Sequence, residues 1–188
     1  MKKIPTLFVR EFFGKNDFKL TEEVTPGMEW VINGEGIATV KIDGSATAII
    51  EGVFYKRYDA KQGKKAPNDS IPCCEPDPIT GHWPHWVKVD PVNKADIWFY
   101  EAYKNAGGEA LADGTYEAIG PHFQANPYNL KEDILERHGV KVINPPRTFE
   151  GLRDYLEKNY IEGIVFWNEG EPRCKIRRKD YGFHWNDK

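Results

Sequence analysis

Apolar and polar positions alternate along much of this chain with the period of two expected of half-buried strands, and turn residues cut the pattern into short runs. Gly36 to Ile42, Ser45 to Ile50 and Val53 to Tyr58 read as three successive strands. Asp43-Gly44 lies between the first two, and Asp-Gly between β-rich runs predicts a hairpin with a tight turn there. Further strands are expected at Trp86 to Val89, Gly114 to Ile119, Ile161 to Trp167 and Pro172 to Arg178, the last with alternating basic side chains. Helical spacing is confined to three places. Lys94 to Asn105 carries Ile97, Tyr100 and Ala102 as apolar points and ends at Gly107-Gly108. Leu130 to His138 reads as a short helix stopped by Gly139. Thr148 is a suitable N-cap for a helix through Asn159, with Leu152, Tyr155 and Leu156 on one face. The first thirty residues read as a lead-in, and residues 61 to 82 as a long irregular loop of the kind that is usually functional or disordered. The fold class expected is α+β, rich in antiparallel sheet.

Composition sharpens this. With 188 residues, 40% hydrophobic and 13% aromatic, the chain has the material for a real core, and the expectation is a single domain over 1–188. The net charge of −3 excludes a general polycation, so a nucleic-acid partner would be held by local basic patches. Lys61 to Lys65 and Arg173 to Lys179 are candidates, although a charge run is ordinarily a solvated surface. The three cysteines, with Cys73 and Cys74 adjacent, make no disulfide framework and point to a reducing, cytoplasmic setting. No apolar run reaches membrane length, and the N-terminus has no signal-peptide core. Cys73, Cys74, His82 and His85 have poor spacing for a zinc site.

Lys41 is the centre of the chemistry. It ends a strand just before Ile42-Asp43-Gly44, where a rigid strand end can aim an amine and a glycine lets a phosphate approach. An amine is nucleophilic only when unprotonated, and bringing a lysine from about 10.4 to about 7–8 takes about 3–4 kcal/mol of differential interaction. A basic strand carrying Lys175 and Arg177 on one face would supply such a field if it lay beside Lys41. Alone, K-x-D-G is explained equally well by a turn with an exposed lysine. Four more segments add weight: Arg57 on the following strand, Glu117 and Glu162 as acids in apolar strands, and the Lys175/Arg177 strand. Acids in such places are costly unless they are paired or hold a cation.

In this order and spacing the five segments resemble the motifs of the covalent nucleotidyltransferase superfamily, the polynucleotide ligases and mRNA capping enzymes. The flanking text is similar to small ATP-dependent RNA ligases: Ile4-Pro5-Thr6-Leu7-Phe8, Glu29-Trp30-Val31, Thr80-Gly81-His82-Trp83-Pro84, and Tyr116 to Pro121 with Asn126-Pro127 downstream.

The resemblance implies a nucleotidyltransferase domain, two antiparallel β-sheets flanking an ATP cleft with peripheral helices. It implies that Lys41 attacks the α-phosphate of ATP to form lysyl-AMP, and that Arg57 contacts the nucleotide. Glu117 would hold the ribose hydroxyls, Glu162 would help place Mg²⁺ or Mn²⁺, and Lys175 and Arg177 would bind the α-phosphate. AMP would pass to an RNA 5′-phosphate, and a 3′-hydroxyl would then seal the strand, as in RNA repair. Arg177 stands where the family pattern usually has lysine, and Arg keeps the charge without being able to lose a proton. No C-terminal OB-fold or helical domain is expected within 1–188. Phe123 is a candidate for stacking on adenine, and Trp83 and Trp86 for meeting a base. The competing readings are a minimal ATP-dependent DNA ligase, a GTP-using capping-type guanylyltransferase and a non-catalytic nucleic-acid-binding module; retention of Lys41, both acids and the basic strand speaks against the last.

Overall fold

A computed structural model describes residues 3–14, 17–60, 64–78 and 80–186. Lys61, with it one end of the Lys61 to Lys65 run, lies outside the described residues. In chain order the elements are β1 (Phe8–Phe12), β2 (Phe18–Val24), α1 (Glu29–Ile32), β3 (Ile37–Lys41), β4 (Ser45–Ile50), β5 (Val53–Ala60), β6 (Ile71–Pro72), β7 (Trp83–Lys88) and α2 (Ile97–Asn105). Then come β8 (Gly114–Ile119), β9 (Ile134–Arg137), β10 (Val142–Ile143), α3 (Phe149–Lys158), β11 (Gly163–Asn168) and β12 (Glu171–Arg177). The chain divides into two compact units, one over Asp43–His138 and the other joining Lys3–Ile42 to the chain from Gly139 onward.

The first unit is built on a six-stranded antiparallel sheet ordered β6-β7-β5-β4-β8-β9. Strand alternation sends Ile49, Phe54, Tyr116 and Ala118 to one face, where they pack with Tyr103 and Ala102 of α2 and with Phe123 and Leu135. Phe54 stacks on Tyr103 with ring centroids 4.7 Å apart. Lys56 points to that same side and pairs with the buried Asp96 at the start of α2. The opposite face therefore carries Arg57, Ala46, Thr115 and Glu117.

The second unit has a four-stranded antiparallel sheet ordered β10-β3-β11-β12, with β1 and β2 forming a separate hairpin. Ala38, Ile164, Phe166, Cys174 and Ile176 line one face and are buried against Leu152 and Leu156 of α3, with Leu7, Phe8 and Val31 completing the core. Thr148 caps α3, its Oγ1 accepting from Gly151 N–H at 3.1 Å. The segment before β1 runs beside β12: Leu7 N–H donates to the Lys175 carbonyl and Lys175 N–H to that of Pro5, at 2.8 and 3.0 Å.

Two sequence expectations need correction. The Asp43-Gly44 hairpin does not form: β3 pairs with β10 and β11, whereas β4 pairs with β5 and β8. Gly44 serves a close approach instead of a turn, since a Cβ there would strike the Ala118 carbonyl and come within 2.8 Å of Glu117 Cγ. Leu130 to His138 is not helical. Its end is drawn into the sheet as β9, Leu135 opposite Ala118 and Ile134 opposite Ile119, so tertiary pairing overrides local propensity. The lead-in, for which the sequence predicts no element, holds the β1–β2 hairpin and the start of α1.

Candidate functional site

The second unit assembles most of the charged residues named from sequence. Lys41, the last residue of β3, lies opposite Gly163 of β11, and Gly163 in turn faces Arg177 of β12. One step along, Thr39, Val165 and Lys175 form the next row on the same face. This face is the reverse of the apolar one, so the alternation that builds the core also gathers Lys41, Lys175 and Arg177. Gly163 leaves the middle of the Lys41–Arg177 row without a side chain. A Cβ there would collide with the Ile176 carbonyl and approach Arg177 Cα to 2.9 Å.

Glu162, the residue before β11, is 8% exposed and accepts a hydrogen bond from Lys41 Nζ at 2.5 Å. Its backbone carbonyl accepts from Arg178 N–H at 2.9 Å, which fixes the turn that presents the carboxylate. Lys175 is largely buried beside the N-terminal segment. Burial, with the nearby charges of Lys41 and Arg177, pushes its amine down to about 8. Arg177 is held by Asp180, whose Oδ1 accepts from Arg177 Nη2 at 2.9 Å and whose Oδ2 accepts from the Arg177 backbone N–H at 2.9 Å. Arg10 of β1 donates to the same carboxylate at 2.6 Å, and its Nε is buried without a hydrogen-bond partner among the described residues. Burial lowers the Arg10 guanidinium from its ordinary value. With Lys175 protonated, Arg10, Lys41, Lys175 and Arg177 outnumber Glu162 and Asp180, so the face has excess positive charge suited to a phosphate-like anion. Arg10 and Asp180 carry no motif, and Asp180 lies 170 positions from its first partner.

The other residues named from sequence lie in the first unit. Glu117 is 8% exposed, and its Oε2 is 2.7 Å from His138 Nε2. Arg57 shares the Glu117 face of the sheet, with the short Ala46 side chain on the strand between them. Arg57 Nε donates to Asp59 Oδ1 at 2.8 Å, an exposed pair. Phe123 is a core residue, 5% exposed and edge-on to Phe99 with centroids 5.1 Å apart; it offers no open face to a base. Trp86 is also buried, while Trp83 lies against His85 and donates to the Cys74 carbonyl at 2.6 Å. No group of three or more His, Cys, Asp or Glu side chains able to hold a metal occurs among the described residues.

No family model matches the chain. The chain is similar to RNA ligase 1 of Danio rerio, with 28% identity over 137 residues, covering 56% of this chain and 42% of that protein. The match thus spans less than half of the length of that relative.

Proposed function

We propose that this chain is an ATP-dependent RNA ligase whose nucleophile is Lys41. The observation that carries the reading is the row Lys41–Gly163–Arg177, with Lys175 beside it and Glu162 bonded to the nucleophilic amine. The likeness to a protein named RNA ligase 1 supports RNA as the strand acted upon.

On this reading Lys41 Nζ attacks the α-phosphorus of ATP. A P–N bond forms, the bond to the bridging oxygen of the β-phosphate breaks, and pyrophosphate leaves with that electron pair. Glu162 is the carboxylate in hydrogen-bond reach of the amine proton. Lys175 and Arg177 face the charge that develops on the α-phosphate oxygens. Glu117 holds the ribose hydroxyls and Arg57 contacts the nucleotide. A divalent ion held by Glu162 would neutralise phosphate charge and orient the triphosphate. AMP then passes to an RNA 5′-phosphate, and a 3′-hydroxyl displaces it to seal the strand.

The test is transfer of label from ATP marked on the α-phosphate to the protein, read on a denaturing gel with Mg²⁺ or Mn²⁺. Label from ATP that is lost in Lys41→Ala is the expected result. Label from GTP instead would move the reading to capping chemistry, and no label from either nucleotide would leave a binding module.

A further inference from the structure

His138 follows β9 directly, and its imidazole spans two side chains of β8 that are two residues apart and so share a face. Nε2 is 2.7 Å from Glu117 Oε2, and Nδ1 is 3.0 Å from Thr115 Oγ1. The backbone fixes the same alignment, His138 N–H donating to the Thr115 carbonyl at 3.1 Å. Both bonds of a neutral imidazole are satisfied when the Thr115 hydroxyl donates to Nδ1 and Nε2–H donates to the carboxylate. The carboxylate can only accept, so it calls for the proton on Nε2, and the Thr115 hydroxyl, which can donate or accept, completes the bonding at Nδ1. The imidazole is mostly buried, and Glu117 has no other hydrogen-bond partner among the described residues. One carboxylate oxygen is therefore tied down and the other, Oε1, is left to accept from a ligand.

We propose that His138 is a positioning residue for sugar recognition: with Thr115 behind it, it fixes the Glu117 carboxylate so that its remaining lone pairs meet the vicinal hydroxyls of a ribose. This rests on the reading of Glu117 as the ribose contact. A carboxylate held at one oxygen presents the other in one orientation, and two adjacent hydroxyls are good donors to it. A nucleotide lacking those hydroxyls leaves the second oxygen of a buried carboxylate without a donor, which is the situation that gives strong discrimination.

The experiment compares equilibrium binding of ATP and 2′,3′-dideoxy-ATP to the whole chain, in wild type, His138→Ala, His138→Gln and Thr115→Val, with α-phosphate label transfer run in parallel. Wild type is expected to prefer ATP. His138→Ala should lower that preference by about tenfold, the size expected for loss of one hydrogen bond to a charged group. His138→Gln should restore most of it, because a side-chain amide can donate at the same place. Thr115→Val should fall in between. A structural role alone would weaken both nucleotides alike and leave the ratio at its wild-type value, and that result would overturn the inference, as would a wild type with no preference. Should label transfer be absent while the ratio behaves as expected, the ligase reading fails and ribose recognition by the His138–Glu117 pair stands. His138→Gln and Thr115→Val keep the test decisive if His138→Ala does not fold.

Discussion

Lys175 is the residue at which charge and burial compete most openly. Its amine is pushed down to about 8, first by burial and then by Lys41 and Arg177. The unfolded chain holds that proton to about 10.4, so between about pH 8 and 10.4 the unfolded state binds more protons and stability rises with pH. Lys175→Met should remove that rise in a series of denaturant unfolding curves. A bound phosphate favours the charged amine, so ATP affinity should fall as pH climbs above about 8. Lys175→Arg, which keeps its charge, should flatten that dependence. Asp180 shows the opposite case of a fully paired buried charge, holding Arg177 and Arg10 together. Asp180→Ala would leave two part-buried guanidinium groups without a counter-charge, and calorimetric or denaturant unfolding should show a loss of about 3–5 kcal/mol.

At the scale of elements, the pattern of hydrophobic positions located β8 at its full extent because a period of two is framed there by a glycine at each end. α3 was legible because Thr148 and the Leu152/Leu156 stripe agree. Thr148→Ala should lower stability by about 1 kcal/mol in thermal unfolding. What escaped was whatever depends on partners distant in sequence. Asp43-Gly44 carries a hairpin signal, yet strand exchange between sheets decided its conformation. β9 has helix-compatible residues, and only its pairing with β8 makes it a strand. The run Arg173 to Lys179 looked like one basic patch and is divided in the structure. Arg173 pairs with Glu169, Lys175 is half-buried, Arg177 bonds Asp180, and Arg178 donates to the Leu156 and Asn159 carbonyls at the end of α3. His138 and Arg10 were invisible for the same reason, since neither belongs to a motif. Gly163 was legible only as part of Glu162-Gly163, and its reason is geometric. Gly163→Ala would push β11 from β12 between Lys41 and Arg177 and is expected to abolish label transfer while thermal unfolding still shows a cooperative transition.

For the whole molecule, a net charge of −3 coexists with a positively charged face in one unit. Binding to a polyanion would then be local, with few counterions released, so the logarithm of RNA affinity should fall only shallowly with the logarithm of salt concentration. No helix among the described residues is long and apolar enough to cross a membrane. Under the proposed ligase reading two amines on this face are candidates for the nucleophile, Lys41 at the strand end against Glu162 and Lys175 with its lowered affinity for protons. The direct measurement is mass spectrometry of the protein after incubation with ATP and a divalent metal ion, with the modified peptide sequenced. An added AMP is expected on Lys41, absent from Lys41→Ala and present, though reduced, in Lys175→Gln. An AMP found on Lys175, or no adduct on well-folded protein, would rule out Lys41 as the nucleophile.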